Sequence, residues 1–349
     1  MKQVNLLTDS PRRLFFHYLG PTIGSSMVTS IYILADTIMV GQGVGDAGLA
    51  ALTIFMPIVA SFFALGLLLG VGGGVLMSVA KGSGNESLAH KYFSTAMISA
   101  AVVSVCFAVF GAIFFDQMMY ALGADTTNIE LVRGYGLCYT VSAPLFIFSS
   151  SLQSFIRNDK SPRHAMIAVL TGSGLNILLD YLFIFVFKMG MFGASFATSI
   201  GTSITVCILV IHFFTKKNTM RFSFRFFSIK ALWEIAKCGF SSFLIECANA
   251  VLVFVFNHTL LKYIGSVGVT VYSIMSNVAV VCMSLFNGVT LAAQPIIATN
   301  HGADNHKRVL QVRHIGTITS SVIAVIIFCI GFFFPDLLIY SYVKGPTPE

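Results

Sequence analysis

Nine stretches of this chain are apolar for longer than a soluble fold can use. A helix rises 1.5 Å per residue, so about 20 apolar residues cross a hydrocarbon core about 30 Å thick. The stretches run roughly over 14–40, 48–79, 92–115, 132–156, 164–187, 192–214, 235–261, 267–297 and 315–341. None alternates as barrel strands do. Composition agrees: 349 residues are 56% hydrophobic and 10% charged, with mean hydropathy +0.84, against about 25% charged in a soluble domain. The fold class expected is an all-α polytopic membrane protein with about nine transmembrane helices. Lys2, Arg12 and Arg13 precede the first span without a small-residue cleavage site, so that span is read as retained and not as a signal peptide.

The linkers divide by charge. One side carries 17 of the 21 basic residues, and the other only Arg133, Lys188, Lys262 and Lys344. Basic loops stay on the cytoplasmic side, which puts the N-terminus in the cytoplasm of a multi-pass plasma-membrane protein. The net charge of +7 is thereby a topology signal, and nucleic acid is not an expected partner. The linker of residues 216–234 interleaves bases with Phe222, Phe224, Phe226, Phe227 and Trp233. That pattern fits a segment lying on anionic membrane lipid. The seven cysteines are scattered without a CxxC pair and read as small apolar filler.

The chain repeats itself at an offset of 220 residues. GDAGLAALTIFM from Gly45 falls on GSVGVTVYSIM from Gly265, KGSGNE from Lys81 on HGADNH from His301, and Asp116 and Tyr120 on Asp336 and Tyr340. The first unit holds six spans, an even number, so the second enters from the same side and the repeat is parallel. Transporters are often built this way, with the substrate between the halves. The division expected is a six-helix N-terminal lobe over 1–215, the linker over 216–234, and a C-terminal lobe over 235–349 with three of six helices. Glu349 corresponds to Ile129, so about three spans are expected to be missing from the second lobe.

Three acids interrupt the spans: Asp36, Asp180 and Glu246. Each costs about 2.5–3.5 kcal/mol at the centre of a spanning helix. A structural hydrogen bond would account for one of them; a cation or proton site would account for the group. Asn176 and Asp180 are four residues apart, as are Tyr32 and Asp36, so each pair shares a helix face. Hard oxygen ligands suit Na⁺, and two carboxylates in one cavity suit a shared proton. The residues leave both coupling ions open. Pro21, inside the first span, removes a backbone hydrogen bond and marks a bending point or a static kink. Glycines 70 and 72–74 lie within an apolar span and fit close helix packing, not a phosphate loop. Asn257, Asn277, Asn287 and Gln294 add polar groups to the spans of the second half. No nucleophile–base set, metal motif or soluble domain points to an enzyme.

Together these residues resemble the multidrug and toxic compound extrusion (MATE) family, bacterial branch. The resemblance rests on Pro21, on TIMVG after Asp36, on GDAGLAA, KGSGN, NDKSPRHAMI, LNILLDYLFIF and FGASFAT. In the second half it rests on GFSSFLIE and AAQPIIATNHGADN. It runs from about Phe15 to Glu349. It implies twelve spans in two six-helix lobes that form a V. It implies Na⁺- or H⁺-coupled antiport of organic cationic drugs, without a resident cofactor and as a monomer. The family's first-lobe cation site matches Asp36, Asn176, Asp180 and Thr198. Its first-helix bend matches Pro21, and its seventh-span acid matches Glu246. The tenth-span acidic partner has no counterpart. Two other readings remain in view: a lipid-linked saccharide flippase of the same superfamily, against which the near absence of bases in the spans argues, and an inactive truncated fragment.

Overall fold

The computed structural model describes residues 4–263 and 266–333, with only part of the side chains between 250 and 277. The repeat partners Asp336 and Tyr340, the end of the ninth expected span and the side chains of Asn257 and Asn277 lie outside the described residues. Among those described, every regular element is helical. The long helices are α1 (Pro11–Gly43), α2 (Asp46–Gly82), α3 (Glu86–Ile113), α7 (Pro162–Asp180), α8 (Gly190–Ile211), α9 (Ile229–Tyr263), α10 (Ser266–Gly302) and α11 (His306–Phe333). The shorter α4 (Phe115–Ala121), α5 (Ile129–Val141) and α6 (Ala143–Asn158) lie between α3 and α7. Seven helices are long and apolar enough to cross a membrane, and α5 with α6 makes one further bent span. With α9, every one of the nine expected spans has its helix or bent pair.

Two details differ from the sequence reading. The fourth span, expected straight, is broken by 52° between α5 and α6. Pro144, in the first turn of α6, lacks the N–H that would bond back into α5. The helices also continue past the apolar runs on the basic side: α3 starts at Glu86, α9 at Ile229 and α11 at His306. His306 and His314 therefore lie on α11.

The repeat is visible in hydrogen bonds. After α2, the amides of Ser83, Gly84 and Asn85 bond to the carbonyls of Val79, Lys81 and Ala80. After α10, those of Ala303, Asp304 and Asn305 bond to Thr299, His301 and Asn300. The turns match residue for residue at the 220 offset. Gly84 has φ +77° and its counterpart Asp304 φ +55°, so one position needs the left-handed region in both copies.

α2 is the hub of the molecule, packing on α9, α6, α3 and α10, while α1 packs on α10 and α7. Its glycines permit this. A methyl group on Gly70 would meet the Ser151 backbone of α6, and one on Gly72 would stand 2.3 Å from the Ile235 carbonyl of α9. Phe55, Phe62, Tyr139 and Phe146 fill the core of the first six spans. Tyr139 stacks on Phe146 across the α5–α6 break, with ring centroids 4.1 Å apart.

The linker is fastened to the first half. Asp159, 1% exposed, accepts from Lys81 Nζ at 2.6 Å, shares a hydrogen bond with His212 Nε2 at 2.9 Å, and accepts from the backbone N–H and hydroxyl of Thr219. The amide of Ser223 and the carbonyl of Arg221 bond Ser94, and Thr95 donates to the Phe226 carbonyl. Phe222, Phe224, Phe227 and Trp233 nevertheless stay exposed. The N-terminal segment is held likewise. Arg308 donates to the carbonyls of Leu6 and Asp9, and Asn300 donates to Leu6 as well.

Candidate functional site

Four of the sequence-derived site residues meet inside the first half. Asp36 (9% exposed) comes from α1, Asn176 and Asp180 (0% exposed) from α7, and Thr198 from α8. The two carboxyl groups lie near enough to interact with each other, and Asn176 lies beside Asp180. Asn176 Nδ2 donates to Thr198 Oγ1 at 3.2 Å, and that hydroxyl donates to the Ala194 carbonyl at 3.0 Å.

Local structure explains the meeting. Glycines at the α7–α8 crossing remove the side chains that would hold the helices apart. A Cβ on Gly172 would fall 1.8 Å from Thr205 Oγ1, and one on Gly201 2.8 Å from the Gly172 carbonyl and 2.9 Å from Asn176 Cβ. This approach sets Asn176 against Thr198. Immediately after Asp180 the chain winds into a π-helical turn, Tyr181–Val186. π turns widen the helix and occur most often at functional positions. The chain then reverses through Lys188 and Gly190, both at positive φ, into α8.

What distinguishes the site is what it leaves unpaired. Both carboxylate oxygens of Asp180, Oδ1 of Asp36 and Oδ1 of Asn176 are buried and make no hydrogen bond. Neither carboxylate forms an ion pair with any described base. Four acceptor oxygens of the site are thus buried without a hydrogen bond from a described residue. Leaving one such group unmet costs about 1–3 kcal/mol, more for a charged one. An all-oxygen set of this kind is chemically suited to a hard cation or to a shared proton.

The structure adds residues that the sequence reading passed over. Tyr135 and Tyr139, one helical turn apart on α5, are buried beside the carboxylates. Tyr32 of α1, noted from its spacing, joins them half-buried. The i, i+4 spacing that pointed to Asn176 and Asp180 also marks Tyr135 and Tyr139.

Pro21 lies buried in an unbroken α1, beside the other half. Its neighbour Thr22 donates to the Gly288 carbonyl of α10 at 2.7 Å. Glu246 stands apart, half-buried on α9, with no hydrogen bond or ion pair to a described residue. A lateral groove of about 700 Å³ between α5 and α8, along Arg133, Leu137, Val141 and Phe192, does not include the carboxylates.

Comparison with known proteins places this arrangement. The MatE family model matches residues 21–182 and 238–347. The chain is 28% identical over 290 residues to the multidrug export protein MepA of Staphylococcus haemolyticus, covering 82% of this chain and 64% of that protein. It is 24% identical over 335 residues to MepA of Staphylococcus aureus, covering 95% and 72%. The chain thus spans about 64% of the length of the first of these relatives. Among solved structures, it superposes with a TM-score of 0.92 on one described as the outward-facing conformation of a multidrug resistance MATE family transporter. The identity there is 23%, with 99% of this chain and 77% of that one covered.

Proposed function

This chain belongs to the MatE family of multi-pass membrane proteins, and on that premise we propose that it exports organic cations in exchange for Na⁺ or H⁺. The membrane is the plasma membrane, with the basic end and the N-terminus in the cytoplasm. The observation that carries the reading is the buried pair Asp36 and Asp180, whose oxygens lack partners. A coupling ion neutralises the pair in one access state, and the organic cation competes for the same charge. Coupling is the difference in ion affinity between the states. Asn176 and Thr198 supply neutral oxygens that suit Na⁺, and Tyr32, Tyr135 and Tyr139 give the cation aromatic faces. Glu246 is a second carboxylate on the opposite half for the travelling cation. The names of the relatives, multidrug export proteins, point the same way.

The test is ethidium efflux from cells that express Asp36→Asn or Asp180→Asn at wild-type level. Each variant is expected to lose at least about tenfold of the ion-driven rate. Efflux at the wild-type rate from either variant would remove the carboxylates from the mechanism. Imposing a Na⁺ or a pH gradient across proteoliposomes then decides which ion drives transport.

A further inference from the structure

Where the basic ends of α2 and α10 cross, two glycines touch the backbone of the opposite helix. A Cβ on Gly82 would lie 2.0 Å from the Thr299 carbonyl oxygen and 3.2 Å from the Ala303 nitrogen. A Cβ on Gly302 would lie 2.0 Å from the Val79 carbonyl oxygen and 2.8 Å from the Val79 Cα. Shifting by 220 residues carries Gly82 onto Gly302 and Val79 onto Thr299. The two contacts are therefore one contact made twice, across a pseudo-two-fold axis between the halves.

We propose that Gly82 and Gly302 form a paired inner seal, a glycine-on-carbonyl contact whose closeness sets how much of the population is closed at the basic end. Three observations carry it. First, the opposing atoms are backbone, so no rotamer change relieves a side chain placed there. Second, further glycines pack on the opposite half farther along the helices: Gly239 against the Leu68 carbonyl, Gly72 against the Ile235 carbonyl, and Gly288 against Ile23. Third, no side-chain hydrogen bond or ion pair of a described residue joins α2 to α10 at the seal. Backbone packing with weak Cα–H···O contacts holds it. Such a contact parts without stranding a polar group, as a surface made to separate and re-form must.

The proposal rests on the transporter reading for its purpose, but its test does not. Ser87 and Lys307 are exposed repeat equivalents on α3 and α11, just beyond the seal. Spin labels there, on the full-length protein in nanodiscs with its reactive cysteines replaced, report the width of the basic end. The seal predicts a dominant short distance in the wild type. Gly82→Leu and Gly302→Leu are each expected to shift most of the population to longer distances. Gly82→Ala and Gly302→Ala, milder if the larger variants do not fold, are expected to shift it partly. Gly331→Ala, where an added methyl meets nothing within 4 Å, is expected to leave it unchanged. An unchanged short distance in the folded glycine variants overturns the seal, even if transport is lost. A shifted distance in a protein that exports no organic cation supports the seal and removes the transport reading.

Discussion

Asp180 and Asp159 are both buried aspartates, and they show opposite uses of a carboxylate. Asp180 is buried beside Asp36 and keeps both of its oxygens without a hydrogen bond, which in the proposed mechanism leaves them for an incoming positive charge. Asp159, in the turn after α6 at the basic end, is fully matched by Lys81, His212 and Thr219. Burial pushes its carboxyl upward, but the bonds from His212, Lys81 and Thr219 outweigh that and hold it below the ordinary aspartate value. A depressed folded value gives stability that is present above the unfolded value of about 3.9. It is lost as pH falls through the lower folded value. Asp159→Ala strands the Lys81 charge and frees the linker, which should cost about 3 kcal/mol, the range for breaking a buried pair. Thermal unfolding in detergent at pH 7 and at pH 3 checks both points. The variant should unfold at a lower temperature at pH 7, and the gap to wild type should narrow in acid. A gap that stays constant with pH would assign the loss to packing alone. At this scale the sequence was informative where a charge stood in an apolar run, as at Asp36, Asp180 and Glu246. It was silent where the chemistry came from residues at home in a membrane, as at Tyr135 and Tyr139.

Among the elements, α7 and α8 carry the site, and the glycines at their crossing carry the alignment. Gly201→Ala puts a methyl 2.9 Å from Asn176 Cβ, so the helices must separate or Asn176 must turn from Thr198. Overpacking of this kind costs about 1–3 kcal/mol. The expected result is a folded protein with weakened ion dependence, read as a raised half-saturating Na⁺ or H⁺ concentration for efflux. Gly174→Ala, which meets nothing within 4 Å, should leave that concentration unchanged. Equal behaviour of the two variants would disconnect the crossing from the site. The spans were legible because hydropathy and length are summed over about 20 residues. The 52° break and the π turn were not, because each depends on one or two backbone hydrogen bonds that hydropathy does not weigh. Pro144 was the signal for the break. No comparable residue marks the π turn.

The whole molecule is interlaced more than a string of two bundles would be. α1 packs along α10 and α9 along α2, so the leading helix of each sequence half rests on the other half. The segments before those helices follow suit. Leu6 is held by Asn300 and Arg308 of the second half, and Phe226, its repeat equivalent, is held by Thr95 of the first. Arg308→Ala should free residues 4–10, visible as faster proteolysis at the N-terminus and a lower unfolding temperature. Arg308→Lys, which keeps the charge but not the planar fork, should restore little. Protection equal to wild type in Arg308→Ala would show that Leu6, buried among Tyr18, Val289 and Ile296, is held by apolar packing alone.

The Leu6–Arg308 bond spans 302 residues of sequence, and a ribosome adds about 5–20 residues each second. The segment around Leu6 therefore waits roughly 15–60 s before the arginine that grips it has been made. For most of that interval α1 lacks α10, one of the helices it rests on, while α7 is made earlier. During biosynthesis, a segment made well before its partner is among the last to find its place.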